Sequence, residues 1–365
     1  MNETDQKSGR KNLTALFMAW GNFTVLPCPY KHWDSRLNHR MLMYLPVIGA
    51  VIGTVWVFCL TMLRWIGLPS LLLAASAEYL LFRLCGYMHL DGFMDVSDAV
   101  MSRRPLEERQ RILKDSRVGA FAVISLAFLL LLWFAAAASL FSSAAPGSAV
   151  SAAADAVKSA GLRDGASGEQ AARQAFCMLP LLLAMVPVIS RACAGRMVLA
   201  YAPIRTSQYV EGKDDPGQRK YRIGIYVLMA VSAGVFCAAA GLLAFRGAAG
   251  GRAGGFRWFG NVWTGAGALL PWSGARAVST ASSQNADLFL GGGFSEFAGR
   301  LSLKIGFFPC GLIFVAGLAA VMWTAGWTAC RHARRQLGGM NGDIAGYTIC
   351  VCELTGMIVL ALLYM

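Results

Sequence analysis

Charged residues are scarce in this chain of 365 amino acids, at 15% of the total. Apolar residues make up 56% instead, and the mean hydropathy is +0.51. Soluble domains carry about a quarter charged residues, so this composition argues against an ordinary soluble protein. The lipid bilayer is the natural solvent for such a chain.

Paired cysteine motifs are absent as well. The ten cysteines are scattered, none forms a Cys-x-x-Cys pair, and most fall in apolar stretches, where a free thiol acts as a small hydrophobe. This pattern argues against a disulfide framework and against a zinc site. The stretch from Met1 to Lys11 is polar and lacks an apolar core before a cleavage site, so no removable signal peptide is expected.

The net charge of +13 invites a comparison with nucleic-acid-binding proteins. No basic run is interleaved with aromatic residues, however, as a nucleic-acid-binding face would be. No nucleic-acid partner is therefore expected, and the positive charge needs another explanation.

Long apolar segments supply the main structural prediction, since a helix that crosses a bilayer needs about 20 residues. Seven segments qualify: 44–66, 70–88, 119–142, 176–201, 223–246, 305–327 and 345–364. A weaker stretch, 13–26, is predicted to be re-entrant or interfacial. The predicted fold is an all-α, polytopic membrane bundle, with residues 1–365 as one domain and loop insertions at 143–175 and 247–304.

Lysine and arginine are distributed unevenly among the segments that connect the predicted spans. If the N-terminus is cytoplasmic, 20 of the 33 basic residues fall in cytoplasmic segments and 8 in the two outer loops. Cytoplasmic loops are enriched in these residues, so the N-terminus is predicted inside and the C-terminus outside. The polar segments 89–117, 203–222 and 331–343 then share the cytoplasmic face.

The strongest local signal is the run HLDGFMDVSD at 89–98. On a helix, Asp91, Asp95 and Asp98 share one face within about 60°. Neighbouring carboxylates repel by about 3 kcal/mol at ~6 Å and an effective dielectric of 20, a cost that a divalent cation removes. Oxygen ligands suit Mg²⁺, with Mn²⁺ as the alternative. For the three aspartates, the structural alternative is a solvated helix end. For His89, it is a structural side chain hydrogen-bonded to a carbonyl.

A second polar run, DSRVG, occupies 115–119 just before the third predicted span. Asp115 offers an acceptor and Arg117 a planar donor fork for a phosphate or nucleotide. Arg111 precedes them, and an i, i+4 salt bridge with Glu107 is its structural alternative.

Ionisable residues also lie within or beside later spans. Arg191 and Glu353 are deep in apolar segments, where a partner or a substrate is the usual explanation. The run LGGMNGD at 337–343 supplies backbone amides that can approach a phosphate, with Asp343 next to them. A glycine-rich turn between helices is the alternative without function.

In this order, the segments resemble the cobalamin synthase family (adenosylcobinamide-GDP ribazoletransferase). The matching stretches are FTVLPCP at 23–29, YLPVIG at 44–49, HLDG at 89–92 with Asp95 and Asp98, DSRVG at 115–119, Ser190-Arg191, and GGMNGD at 338–343 followed by Glu353. The resemblance implies that a hydroxyl of α-ribazole, or of its 5′-phosphate, attacks the cobinamide-side phosphorus of adenosylcobinamide-GDP. GMP then leaves.

The resemblance also implies a site and a location. Catalytic roles are expected for His89, Asp91, Asp95 and Asp98, with Mg²⁺ or Mn²⁺ on the three aspartates, and either His89 or a non-ligating aspartate as general base. Substrate-binding roles are expected for Arg111, Asp115, Arg117, Arg191, Asp343 and Glu353. The expected setting is the cell inner membrane, where the chain forms a homo-oligomer or associates with other enzymes of cobalamin synthesis.

Three other functions compete with this interpretation. A CDP-alcohol phosphotransferase also uses membrane-bound aspartates, but its Asp-Gly-x-x-Ala-Arg element is missing, since Phe93 and Met94 follow Asp91-Gly92. A membrane prenyltransferase is disfavoured by the single aspartate triplet. A transporter would place polar groups near mid-bilayer in paired segments, whereas here they cluster at one face.

Overall fold

The computed structural model describes residues 3–143, 165–204, 218–248 and 307–364. In these ranges the secondary structure is helical, apart from one isolated bridge between Pro203 and Met340. The all-α prediction is confirmed. Most of the two predicted insertions lies outside the described residues.

The described ranges contain eleven α-helices and a short 3-10 helix at Ser35–Leu37. The helices are α1 (Glu3–Phe23), α2 (Asn38–Met43), α3 (Leu45–Ile66), α4 (Ser70–Leu84), α5 (Met88–Met101), α6 (Leu106–Ile112), α7 (Ala120–Ser143), α8 (Gly165–Val198), α9 (Gln218–Ala248), α10 (Phe307–Leu337) and α11 (Gly342–Tyr364).

Six helices are long and apolar enough to cross a membrane: α3, α7, α8, α9, α10 and α11. The second predicted span differs from the straight helix expected over 70–88. The chain instead forms two helices, α4 and α5, and turns by 90° between them. Gly86 and Tyr87 in the break have φ of 66° and 61°, a left-handed conformation that a continuous helix excludes.

Helices α3 and α8 run antiparallel with their backbones in contact. A Cβ at Gly49 would lie 2.7 Å from the Cα of Val188, and one at Gly53 would lie 3.1 Å from the Cα of Ala184. Small residues at such crossings let membrane helices approach closely. The start of α3 and the end of α8 therefore lie at the same end of the bundle.

The start of α11 lies at this end as well. Beyond α8, the N–H of Ile204 donates to the carbonyl of Met340 at 2.9 Å, and the N–H of Met340 donates to the carbonyl of Ala202 at 2.9 Å. Met340 immediately precedes α11. We call the end where α3 and α11 begin the proximal end, and the opposite one the distal end.

Helices α4 and α5 together connect these two ends. Helix α4 begins just after α3 finishes at the distal end. Helix α5 packs at Gly92 against Asp343, in the first turn of α11, and so reaches the proximal end. Counted as one broken crossing, the pair brings the candidate membrane crossings within the described ranges to seven.

The N-terminal segment packs against the break. Helix α1 is longer than the predicted 13–26 segment, and the chain that follows it returns toward α2. The N–H of Val25 donates to the carbonyl of Leu84 at 3.0 Å. Carbonyl oxygens at the end of a helix have no hydrogen-bond donor within that helix. Inside a bilayer, other groups of the protein must supply the donors.

Two helices extend beyond their predicted bounds by ten residues or more. Helix α8 begins at Gly165, so residues 165–175 are helical instead of the flexible loop predicted for them. The prediction followed apolar periodicity, whereas this stretch contains the strong helix formers Ala, Glu, Gln and Arg. Helix α10 continues to Leu337, beyond the predicted end at 327, because Ala333 and Leu337 bury an apolar face there.

A buried ion pair joins α8 to α11. The Nη1 of Arg191 lies 2.6 Å from the Oε1 of Glu353, and the side chains are 0% and 1% exposed. Arg191 also donates to the carbonyl of Pro187, to the hydroxyl of Ser190 and to the thiol of Cys85, at 3.1, 3.0 and 2.8 Å. Buried charges are tolerated when such bonds surround them. Because Arg191 donates to Cys85, the ion pair is also connected to the break between α4 and α5.

Removal of one member of this pair is expected to destabilise the protein more than removal of both. Arg191→Met leaves the Glu353 charge buried without its partner, which typically costs about 3–5 kcal/mol. The double variant Arg191→Met/Glu353→Met removes both charges and should recover most of that loss. Unfolding in detergent, followed by circular dichroism, measures the difference.

Arg117→Met provides the control, because it makes the same change at a side chain that is 84% exposed. Its unfolding temperature should match the parent's. Equal destabilisation in the single and double variants would contradict the prediction.

Candidate active site

Three aspartates line one face of α5. The run 89–98 is helical, so the predicted i, i+4, i+7 arrangement of Asp91, Asp95 and Asp98 is confirmed. Asp91 is exposed, and the other two are half-buried. The opposite face of α5 is buried in the bundle, because Phe93, Val96 and Ala99 recur there at helical spacing.

A fourth carboxylate, Asp343, joins this face from the first turn of α11. A Cβ at Gly92 would lie 2.8 Å from the carbonyl oxygen of Asp343 and 2.9 Å from its Cα. One turn further, a Cβ at Gly346 would lie 3.2 Å from the Cα of His89. The two glycines therefore set the distance between α5 and α11. We call Asp91, Asp95, Asp98 and Asp343 the carboxylate cluster.

The carboxylate cluster is a concentration of negative charge. Asp95 is repelled by the other three members, and Asp91 also repels Asp343. Among the described residues, no basic side chain forms an ion pair with a member of the cluster. A bound cation would offset the repulsion between carboxylates so placed at the end of a membrane crossing.

The donor chemistry of the cluster fits a hard divalent cation, because all four groups supply oxygen. As the side chains are oriented, no three His, Cys, Asp or Glu groups in the described ranges converge closely enough to hold an ion. Mg²⁺ usually takes one or two carboxylates and completes its shell with water and substrate phosphate. The cluster therefore suits an ion that binds together with a phosphorylated substrate.

The loop 115–119 lies against the cluster. The backbone at Gly119 lies directly against the carboxylate of Asp98, so a Cβ at this position would displace that side chain. Within the loop, Arg117 donates to Asp115 through Nε at 3.1 Å and Nη2 at 2.7 Å. The guanidinium lowers the pKa of Asp115 to about 2, so this carboxylate stays charged at neutral pH.

Helix α6 places further basic groups beside this loop. It docks on the end of α10, where the Nε2 of Gln110 donates to the carbonyl of Leu337 at 2.8 Å. Arg111 is exposed, and its charge also acts on Asp115. The structure thus brings Arg111, Asp115 and Arg117 together at the proximal end, near Asp98.

A cluster of arginines and aromatic rings at the proximal end was missed by the sequence analysis. The guanidinium of Arg334 lies 4.2 Å from the ring centroid of Tyr201, and that of Arg331 lies 5.1 Å from the ring of Trp327. The indole N–H of Trp327 donates to the hydroxyl of Tyr201 at 3.1 Å. Trp327, Arg331 and Arg334 share one face of α10 at i, i+4 and i+7, a spacing that is visible in the sequence, whereas Tyr201 comes from the segment after α8.

Three of the predicted site residues lie behind the cluster. His89 is only 5% exposed, and its carbonyl accepts a hydrogen bond from the thiol of Cys350 at 3.3 Å. Its Nε2 has no hydrogen-bond partner among the described residues. Arg191 and Glu353 bind each other, and the positive charge of Arg191 acts on His89. His89 belongs to α5 and Glu353 to α11, the helices that carry the aspartates, and none of the three residues is exposed.

Gly92→Ala is expected to destabilise the protein, because the new Cβ would push the backbone of α11 away from α5. Overpacking of this kind typically costs about 1–3 kcal/mol. The matched control is Gly317→Ala in α10, where a Cβ would meet no atom within 4 Å. Thermal unfolding of both variants in detergent checks the prediction, and equal unfolding temperatures would show that the α5–α11 contact is not close.

Known sequences support one family. The sequence model of the cobalamin-5-phosphate synthase family matches residues 15–265 and 219–361. The adenosylcobinamide-GDP ribazoletransferase of Clostridium perfringens (strain ATCC 13124) is 46% identical over 121 residues, 33% of this chain and 48% of the relative. That of Clostridium botulinum (strain Eklund 17B) is 42% identical over 127 residues, 34% and 50% of the two chains.

The same enzyme of Geobacillus sp. (strain WCH70) is 38% identical over 125 residues, 31% of this chain and 46% of the relative. The chain spans about half the length of the curated relatives it matches. No solved structure matches it. The family match extends over most of the chain and includes all four members of the carboxylate cluster. The chain therefore belongs to the cobalamin-5-phosphate synthase family.

Proposed function

We propose that the protein is an adenosylcobinamide-GDP ribazoletransferase. It joins adenosylcobinamide-GDP to α-ribazole, or to its 5′-phosphate, and releases GMP together with adenosylcobalamin or its 5′-phosphate. Family membership and the names of the relatives support this activity. The observation that carries the chemistry is the carboxylate cluster beside a basic loop at one end of the bundle.

The reaction exchanges one phosphorus–oxygen bond for another. A ribazole hydroxyl oxygen bonds to the cobinamide-side phosphorus, and GMP leaves with the oxygen that bridged the two phosphates. Phosphoryl transfer depends mainly on positioning and on neutralisation of charge. A divalent cation held by Asp91, Asp95 and Asp98 would neutralise diphosphate charge. Arg111 and Arg117 supply guanidinium groups for the same anionic substrate.

The proton of the attacking hydroxyl needs an acceptor in the cluster. His89 is buried on the other side of α5, so its imidazole is poorly placed for this role. Asp343 is the cluster member outside the predicted metal-binding trio. Its Oδ2 accepts a hydrogen bond from the Nδ2 of Asn341 at 2.6 Å, which holds the carboxylate in place. We assign the general base to Asp343.

The buried ion pair has a supporting role in this proposal. Arg191 and Glu353 are enclosed by protein, and Arg191 bonds to Cys85 at the break before α5. They therefore act on the cluster through the helices that they join. Direct contact of either residue with substrate remains a prediction from sequence.

Charge supports a cytoplasmic location for the proximal end. Of the 33 lysines and arginines, 20 lie in the N-terminal segment and in the three connections between helices that end and begin at the proximal end. The two long loops contain 8. Membrane proteins keep such residues on the cytoplasmic side. The site would then face the cytoplasm from the cell inner membrane, with the N-terminus inside and the C-terminus outside.

Asp91→Asn and Asp95→Asn are expected to lower turnover of adenosylcobinamide-GDP and α-ribazole by at least a hundredfold. Each change keeps the size of the side chain but removes a charge that holds the cation. Wild-type activity should also be lost in EDTA and restored by Mg²⁺ or Mn²⁺. The measurement is cobalamin formation in detergent or liposomes.

The exposed Glu107 of α6 provides the control, since Glu107→Gln removes a carboxylate charge outside the cluster. Its turnover should stay within twofold of wild type. Wild-type rates in both aspartate variants, with no metal requirement, would show that the aspartates are structural.

Topology can be tested by cysteine labelling in a background without the native cysteines. Single cysteines introduced within 205–220 should react with an impermeant reagent only from the cytoplasmic side, and those within 150–170 only from the periplasmic side. The expectation follows from the uneven distribution of lysine and arginine. Labelling of 205–220 from the periplasm alone would reverse the assignment of the active-site face.

A further inference from the structure

A cavity of about 560 Å³ lies between α1 and the segment 24–33 that follows it. Cavities of about 300–1,000 Å³ are the usual size for small-molecule sites. Four rings line it: Phe17, Tyr30, His32 and Trp33. The carboxylate cluster does not contribute to its lining.

The aromatic wall is held in place by hydrogen bonds. The thiol of Cys28 donates to the carbonyl of Tyr30 at 3.2 Å and to that of Phe17 at 3.6 Å, which fixes the segment against α1. The ring centroids of Phe17 and Tyr30 are 5.9 Å apart, and those of Tyr30 and His32 are 6.0 Å apart. These rings present a wall on which a planar group can stack.

The cavity adjoins the break that precedes α5, the helix that carries three of the aspartates. Val25, part of its lining, bonds through its N–H to Leu84 at the end of α4. Its Cγ1 would lie 3.2 Å from a Cβ at Gly86. The N–H of Asp91 then bonds to the carbonyl of Tyr87 at 3.0 Å, so Asp91 is about one helical turn, or ~5.4 Å, beyond the break.

The polar groups that line the cavity favour the base of α-ribazole over guanine. Its lining includes the polar side chains of Asn22, Thr24, Lys31 and His32, and it contains no carboxylate. Guanine presents N–H donors on its Watson–Crick edge, for which a carboxylate is the strongest acceptor. The benzimidazole of α-ribazole is planar and apolar and offers one free ring nitrogen, which only needs a donor. A corrin macrocycle is far too large for the cavity.

We propose that this cavity holds the benzimidazole base of α-ribazole, stacked on Tyr30. Lys31 lies at the same wall and is exposed, so it is placed to attract a 5′-phosphate. The inference rests on the proposed function, because that function names the nucleoside. It adds a site for the base, separate from the carboxylate cluster and next to the break that leads to Asp91.

The test uses steady-state kinetics of the full chain with both substrates. Tyr30→Ala should raise the KM for α-ribazole at least tenfold, because it removes the aromatic ring on which the base stacks. The KM for adenosylcobinamide-GDP should stay within twofold, and Tyr30→Phe should retain the wild-type value. The matched control is Tyr226→Ala in α9, where the side chain is 43% exposed against 42% for Tyr30.

A second variant tests the phosphate. Lys31→Met should raise the KM for α-ribazole 5′-phosphate at least fivefold, while the KM for α-ribazole stays within twofold. Equal effects on α-ribazole and on its 5′-phosphate, or no effect on either, would overturn the assignment of Lys31.

Equilibrium dialysis of labelled α-ribazole separates this inference from the proposed function. Binding that Tyr30→Ala weakens supports the cavity, even if the wild type shows no turnover and the proposed function fails. Turnover with an unchanged KM and unchanged binding in Tyr30→Ala would overturn the cavity, leaving its rings as membrane-interface anchors. A raised KM for adenosylcobinamide-GDP alone, or no α-ribazole binding by the wild type, would also overturn it.

Discussion

A helix that breaks inside a bilayer leaves backbone groups that only protein can satisfy, and the rest of this structure depends on how that demand is met. The break between α4 and α5 redirects the chain by 90° and aims the aspartate face of α5 toward the proximal end. The N–H of Val25 satisfies Leu84 on one side, and Arg191 reaches Cys85 on the other. The N-terminal segment and the bundle interior thus both bond to the break between α4 and α5.

The charged residues on the two sides of α5 differ in whether they are paired. Behind it, Arg191 and Glu353 are buried and neutralise each other, which offsets much of the cost of placing them in a low-dielectric interior. In front, the carboxylate cluster keeps its repulsion unrelieved by any described basic side chain. The internal pair links two helices, whereas the unpaired cluster would be available to the cation and the phosphorylated substrate of the proposed function.

The bend in the second crossing illustrates what hydropathy does not detect. Cys85, Gly86 and Tyr87 are as compatible with an apolar helix as with a break, so the segment 70–88 qualifies as a span by composition. Only the left-handed backbone at two of these residues shows the change of direction. The early start of α8 at Gly165 was missed for a related reason, since that stretch has helix propensity without apolar periodicity.

The sequence by itself determined the solvent, the helical class and the shared face of Asp91, Asp95 and Asp98, because these follow from composition and from the 3.6-residue helical period. Tertiary structure alone decided that Asp343 joins them, since it approaches through the contact of Gly92 with another helix. It also decided the pairing of Arg191 with Glu353. Such contacts depend on how closely distant segments pack, and local patterns of residues carry no information on that distance.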